Sequence, residues 1–526
     1  MSRAAGTAPE RAPARPWRAP AEWGFGAALG ALHSLPFVLT AAWWLQPLAV
    51  ALLAWRLARV APSRAALLAL LFGTAWLGAG VWWLFISMHR YGGLAAPLAA
   101  LAVALLAAGL SLYLAAAAWL FARWRRGIAW VDALLFAALW LAAELARGVI
   151  FTGFPWLAAG YAHVDSPLAA LAPWIGVYGI GFVSALAAAL TVFALARDAA
   201  GRRGAAALAL GGLAAAAALA ALGRDGFTTP AGRVGVSLLQ TNVAQDEKFA
   251  PERLPQAMQA LARALAGARG PLVVAPETAV PLLPADLDPA WWRATTEPFR
   301  AGDRAALIGL PLGSYEAGYT NSALGLARGV EHRYDKHHLV PFGEFVPWGF
   351  RWFVNLMHIP LGDFSRGPLE APPFVALGQR IAPNICYEDL FGEELAARFR
   401  DPARAPTLFA NLSNIAWFGD TIAVDQHLHI SRMRALEFER AMLRATNTGA
   451  TAIVDHRGRV AATLPPFTHG TLDGEVEGRE GLTPYAAWAS RLGLWPLALL
   501  ALAIVAPFAP GAARRPTRPA PTDATP

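Results

Sequence analysis

Arg380-Ile-Ala-Pro-Asn-Ile-Cys386 is a short apolar run that ends on a thiol. Such a run reads as a buried strand, and in layered α/β domains functional groups collect just past strand ends, where the backbone is rigid and the side chain is free. Cys386 is the single cysteine of 526 residues. It has no disulfide partner within the chain, and neither a zinc-type cluster nor a CxxC redox pair exists. Taken alone, a lone cysteine is more often a small buried apolar residue than a nucleophile.

Two further segments change that reading. Pro271-Leu-Val-Val-Ala-Pro-Glu277 ends a second apolar run on a carboxylate, and Arg333-Tyr-Asp-Lys-His-His-Leu-Val-Pro-Phe-Gly-Glu344 sets Lys336 and Glu344 in one loop. A thiol attacks as the thiolate, so a base must take its proton or a cation must hold the anion. Attack on an ester or amide carbonyl then develops charge on oxygen, which an ammonium and backbone N–H groups stabilise. Glu277, Lys336 and Cys386 together make a minimal acyl-transfer site. Only Lys248 and Lys336 among the 44 basic residues are lysines, so an ammonium has been kept in a chain that otherwise uses arginine.

Outward from these segments, residues 233–480 alternate β-like and helix-like runs, the pattern of an α/β layered domain. The spacing predicts strands at 233–239, 271–275, 306–310, 380–386, 407–412 and 451–454, and helices at about 252–268, 390–399 and 426–444. The flanks serve a different solvent. The chain is 56% hydrophobic and 15% charged, and seven helical runs of roughly membrane-spanning length precede the polar region, at about 22–36, 40–58, 65–87, 94–122, 128–146, 172–197 and 205–223. An eighth covers about 486–509.

Arginines cluster in alternate loops: before 22, at 56–64, at 123–126, at 197–203 and after 510. Retention of such charges on the cytoplasmic side puts both chain ends there and the polar domain outside the cytoplasm. The predicted organisation is a cytoplasmic segment 1–21, a membrane region 22–223, a catalytic domain 224–485, a last crossing 486–509 and a disordered tail 510–526. The net charge of +8 is explained by these loops, which lack the aromatic-interleaved basic face of a nucleic-acid binder. The histidines lack metal-ligand spacing with carboxylates, so no metal is expected. Pro347 to Pro360 is apolar and aromatic, suited to a lid or arm at a membrane interface.

With Glu, Lys and Cys in this order, the region resembles the nitrilase or carbon-nitrogen hydrolase superfamily. Thr152-Gly-Phe-Pro-Trp156, Pro276-Glu-Thr, Tyr334 to Pro347, Phe364-Ser-Arg-Gly367, Ile385-Cys-Tyr-Glu388, Asn414 to Gly419 and Met433-Arg-Ala-Leu-Glu437 resemble, more narrowly, the bacterial apolipoprotein N-acyltransferases. The resemblance implies a four-layer αββα sandwich joined to about eight transmembrane helices in the inner membrane, with the sandwich on the periplasmic side. It implies Glu277 as general base, Lys336 as stabiliser of the tetrahedral intermediate and Cys386 as nucleophile, supported by Glu344, Tyr387, Glu388 and Trp417. The reaction implied takes an acyl chain from a membrane phospholipid as a Cys thioester and passes it to the α-amino group of a diacylglyceryl-cysteine apolipoprotein, without a cofactor. A membrane-anchored amidase or nitrilase with water as acceptor is the alternative. Two positions depart from the family pattern: Ile415 stands where Asp is expected, and Phe249 where Trp is expected.

Overall fold

The structure is a computed structural model that describes residues 19–195, 199–223, 226–354 and 363–509. Helices α1 (Ala19–Ser34), α2 (Leu45–Leu57), α3 (Pro62–Gly80), the single turn α4 (Leu84–Ile86), α5 (Ala96–Trp124), α6 (Ala129–Val149), α7 (Ala172–Leu195) and α8 (Ala199–Leu222) precede the first strand. Their shared core includes Phe72, Trp76, Phe121, Phe136 and Trp140, while leucines such as Leu101, Leu105 and Leu112 of α5 stay exposed. An apolar outer surface of that kind is suited to lipid rather than water.

Among the described residues, four stretches are long and apolar enough to cross a bilayer: Pro62–Gly80, Ala96–Trp124, Ala129–Thr152 and Pro167–Leu195. α2, with 13 residues, falls short because a helix rises only about 1.5 Å per residue against a hydrocarbon core of about 30 Å, and the described part of α1 has 16. The run expected as one helix over 486–509 is broken into α14 (Pro484–Leu492) and α15 (Trp495–Val505), with a bend of 86° between the pair. Gly493, at φ +54°, ends α14. The break has a packing cause: Tyr485, Ala486 and Ala489 of α14 are buried against the catalytic domain beside Phe409 and Phe438. If the bent pair is one span, the described residues hold five.

Between these helices lie β1 (Thr228–Gln240), α9 (Leu254–Gly267), β2 (Leu272–Val274), α10 (Pro289–Arg300), β3 (Ala305–Ser314), β4 (Gly318–Ala327), β5 (Val330–Asp335), the short α11 (Arg351–Val354), β6 (Phe374–Ala376), β7 (Gln379–Ile385), α12 (Gly392–Ala396), β8 (Leu408–Ser413), α13 (Ala423–Phe438), β9 (Ala441–Thr446), β10 (Ala452–Val454), β11 (Val460–Thr463) and β12 (Gly470–Gly481). They form two six-stranded mixed sheets, ordered β12-β1-β2-β3-β4-β5 and β11-β10-β9-β8-β7-β6. In each, three central strands run parallel, β1-β2-β3 and β7-β8-β9. Parallel strands buried on both faces require continuous apolar runs, and the sequence supplies them. Leu272 and Val274 face the layer between the sheets with Ile381, Ile385 and Leu408. Val273 and Ile308 face outward against Met258, Leu261 and Phe299 of α9 and α10, and Ala382 and Phe409 against Leu395, Ala435 and Phe438. The order is helix, sheet, sheet, helix.

All six predicted strands are present, and six more accompany them. Those missed are mostly hairpin returns and edges whose Gly and charged residues, as in Gly470 to Gly481, mask the period. The helix expected over 426–444 ends at Phe438, because Glu439 takes a left-handed conformation (φ +47°). Its carboxylate accepts hydrogen bonds from Phe227 N and Thr228 Oγ1, both at 2.8 Å, and the chain turns into β9. Helix α10 was not foreseen. Of the aromatic segment 347–360, Trp348 and Trp352 are exposed, and residues 355–362 lie outside the described ones, as do most of 1–21 and all of 510–526.

The two halves are joined through α13. Gly176 (φ +64°) breaks α7 and leaves the Val177 N–H without its helical partner. Glu437 of α13 accepts that N–H at 2.7 Å and the Arg434 guanidinium at 2.8 Å. Both charged side chains are fully buried. Glu437→Leu strands the Arg434 charge in that interface, and denaturation in detergent is expected to show a loss of about 3–5 kcal/mol. A loss under about 1 kcal/mol in that assay would contradict this role of the pair.

Candidate functional site

Glu277 lies just past β2, in the middle of one sheet's parallel strands, and Cys386 just past β7, at the side of the other's. The sandwich thereby brings a carboxylate and a thiol from opposite sheets to one end. The approach at Glu277 is tight: a Cβ on Gly309 of β3 would sit 2.3 Å from Pro276 O and 2.8 Å from Glu277 Cα. Cys386 has φ +55°, a conformation costly for a residue with a Cβ and typical of functional turns. Asn411 Nδ2 donates to the Cys386 carbonyl at 2.8 Å and holds it there.

Behind this turn is a buried charge relay. Arg444 donates to His427 Nδ1 at 3.2 Å, so the ring proton sits on Nε2. That Nε2–H faces Asp389 Oδ1 at 3.1 Å and Cys386 O at 3.3 Å. From the membrane half, Trp83 and Trp156 donate through their indole N–H groups to Gln426 Oε1, at 3.2 and 2.9 Å.

Lys336, at the end of β5, is fully buried. Its Nζ donates to Glu344 Oε1 at 3.0 Å and reaches Glu277 Oε1 at 3.4 Å. Asn321 Nδ2 donates to the same two oxygens, each at 2.7 Å. Glu277 Oε2 accepts Asn414 N at 2.8 Å, and Glu344 Oε2 accepts Val340 N at 2.8 Å. Burial alone would lower Lys336, but the Glu344 and Glu277 carboxylates outweigh it and hold the ammonium well above the ordinary lysine range. Burial, and then the Glu277 charge, push the Cys386 thiol up to about 12 against the pull of Lys336. Cys386 is therefore held as the neutral thiol.

The other expected residues fall in distinct places. Tyr387 lies beside Lys336, its ring centroid 5.7 Å from Nζ, and its hydroxyl donates to Leu339 O at 2.7 Å. Glu388 accepts Ile385 N at 2.6 Å, His337 N at 2.7 Å, His338 N at 3.1 Å and Tyr334 OH at 2.8 Å, which clamps the lysine loop to the cysteine turn. Trp417 packs edge-on against Tyr91 at 5.5 Å, toward the helical half. Ile415 is buried with Val424 and Ala450, so its apolar side chain fits the place it occupies, and Phe249 is half exposed. Asn321, Asn414 and Lys248 are not among the expected site residues. Two of them carry a signal in the sequence, Lys248 as the second of two lysines and Asn414 as the first residue of the 414–419 motif.

Residues 29–190 match the apolipoprotein N-acyltransferase N-terminal domain and residues 236–485 the carbon-nitrogen hydrolase domain. The apolipoprotein N-acyltransferase of Verminephrobacter eiseniae is 54% identical over 92% of this chain and 94% of its own length. That of Ralstonia nicotianae is 48% identical over 90% and 92%. The chain belongs to the apolipoprotein N-acyltransferase family. A carbon-nitrogen hydrolase structure from Helicobacter pylori G27 aligns at 16% identity over 51% of this chain and 94% of that one, with a TM-score of 0.34.

Asn321→Asp keeps the size of a side chain that bridges two carboxylates but replaces its donor with an acceptor. The clash of like charges is expected to cost about 2–4 kcal/mol of site stabilisation, read as at least ~30-fold slower single-turnover acylation. An unchanged rate would mean that the Asn321 bridge does not order the site.

Proposed function

We propose that this chain transfers an acyl chain from a membrane phospholipid to the α-amino group of a diacylglyceryl-cysteine apolipoprotein, through a thioester on Cys386. The observation that carries the reading is the buried Lys336 held between Glu277 and Glu344 next to the thiol, in a chain whose relatives bear that activity's name. In the first half-reaction Glu277 takes the Cys386 proton as sulfur attacks the phospholipid ester carbonyl. Lys336 stabilises the oxyanion, and collapse expels the lysophospholipid alcohol, which recovers the proton from Glu277. In the second, Glu277 takes a proton from the attacking amine, the C–N bond forms, and the thiolate leaves and is reprotonated. Glu344 orients Lys336, Tyr387 walls the site, Glu388 fixes the turn, and Trp417 lines the approach from the membrane side.

Both substrates are lipids, which gives a physical reason to fuse an α/β sandwich to apolar helices. The proposed organisation has 22–223 in the membrane, 224–485 as the catalytic domain and 486–509, bent at Gly493, as the return. Eight crossings in all would place the domain on the periplasmic side of the bacterial inner membrane, supported by the alternation of arginine clusters.

The test is intact-protein mass spectrometry after incubation with phospholipid vesicles, followed by addition of a diacylglyceryl lipopeptide. An acyl mass on Cys386 is expected, absent in Cys386→Ser, reduced at least ~100-fold in Glu277→Gln and discharged by the lipopeptide amine faster than by water. Equal discharge with and without lipopeptide would indicate a hydrolase.

A further inference from the structure

The acyl-transfer site contains a second ammonium that the steps above do not use. Lys248 and Lys336 are the only lysines of the sequence, and both side chains end buried at Glu277. Lys248 sits in the turn after β1, where its N–H closes on Ala244 O at 3.0 Å. Its Nζ donates to the main-chain oxygen of Glu277 at 3.0 Å. The same turn reaches Glu277 a second way: Gln245 Oε1 accepts from Asn414 Nδ2 at 2.9 Å, and Asn414 N in turn donates to the Glu277 carboxylate. The peptide so gripped precedes Thr278, which has φ +51°.

The surroundings of Lys248 decide what its charge can do. Glu277 and the Cys386 thiol both couple to it electrostatically. Lys336 meets the Glu277 carboxylate and, with Asn321, that of Glu344, and His469 shares with Lys248 the wall of a small neighbouring cavity. On its own turn, Asp246 is exposed and pairs outward with Arg90 at 3.4 Å, and Glu247 is exposed as well.

We infer that Lys248 is a positioning residue of the acyl-transfer site: its ammonium fixes the Glu277 main chain and supplies the second positive charge that balances the carboxylates of Glu277 and Glu344 while the Cys386 proton moves. The inference rests on the assignment of Cys386 as nucleophile and Glu277 as base. With both lysines charged, the two carboxylates and two ammoniums sum to zero. Passing the S–H proton to Glu277 leaves that sum unchanged, since the thiolate takes over the carboxylate's charge. If Lys248 loses its proton, the same step occurs in a site with one net negative charge, and thiolate and oxyanion both become harder to form.

The two lysines differ in when they discharge. Burial lowers Lys248 to about 8, against the raising effect of Glu277 and Cys386, whereas Lys336 is held well above the ordinary range. A group that is cationic below its pKa and neutral above it gives a rate that falls as pH rises past that value. Lys248 therefore sets the alkaline limb of acylation.

The experiment is single-turnover acylation of Cys386 from phospholipid vesicles by the full-length protein in detergent, read by mass spectrometry from about pH 6 to about pH 10. The wild type is expected to slow above a pH of about 8. Lys248→Met is expected to be about tenfold slower at neutral pH and to lack that decline, equivalent to one pKa unit of lost stabilisation. Lys248→Arg is expected to lose less at neutral pH and to push the decline beyond the range, because a guanidinium stays charged there. A Lys248→Met or Lys248→Arg profile that keeps the wild-type decline overturns the inference. Should the methionine variant not fold, the arginine variant against wild type decides alone. Absence of an acyl mass on wild-type Cys386 defeats the nucleophile assignment and this inference with it, whereas acylation with unshifted variant profiles defeats only the role of Lys248.

Discussion

The site depends on one buried arrangement: the Lys336 ammonium between two carboxylates whose inner oxygens are also joined by Asn321. A lysine taken out of water is normally driven toward its neutral form, and two carboxylates brought together repel. Each problem solves the other. The ammonium lies between the two side chains that converge on one amide, and their carboxylates keep it charged. The consequence is a fixed positive charge beside a thiol that burial and Glu277 keep neutral. Reactivity is thereby tied to proton transfer and does not rest on a standing thiolate, which suits a residue that must not react with passing electrophiles.

The rest of the fold serves that geometry. Glu277 and Cys386 come from different mixed sheets, and Glu388 ties the lysine loop to the cysteine turn by accepting three hydrogen bonds from Tyr334, His337 and His338. Helix α13 carries three connections at once. His427 meets the Cys386 carbonyl, Gln426 takes the indole N–H groups of Trp83 and Trp156, and Glu437 caps the broken helix α7. Contacts from the apolar helices therefore reach within one residue of His427, which meets the Cys386 carbonyl.

What could be read in the sequence followed from position on strands. Glu277 and Cys386 end apolar runs, and Lys336 stands out in an arginine-rich chain, so all three can be picked out of the sequence as candidates. Asn321 cannot, because a single asparagine in a strand has no pattern to mark it, and Asn414, although it opens the 414–419 motif, has no role to read until the partner carboxylate is in view. β9 was hidden because the buried Arg444 made 426–444 look like one amphipathic helix, and the reversal at Glu439 is fixed by contacts with residues 227 and 228, far away in sequence. The last apolar run likewise gave no sign that its first turns belong to the catalytic domain through Tyr485.

The ionisation state of Cys386 tests this account most directly. Difference ultraviolet titration of the wild type against Cys386→Ser reports thiolate formation without substrate. A thiol pushed up to about 12 predicts no thiolate signal below about pH 10, because the ionised fraction falls tenfold per unit below the pKa. A thiolate already present at neutral pH would contradict it, and would make Lys336 a partner of sulfur instead of the counterion of Glu277 and Glu344.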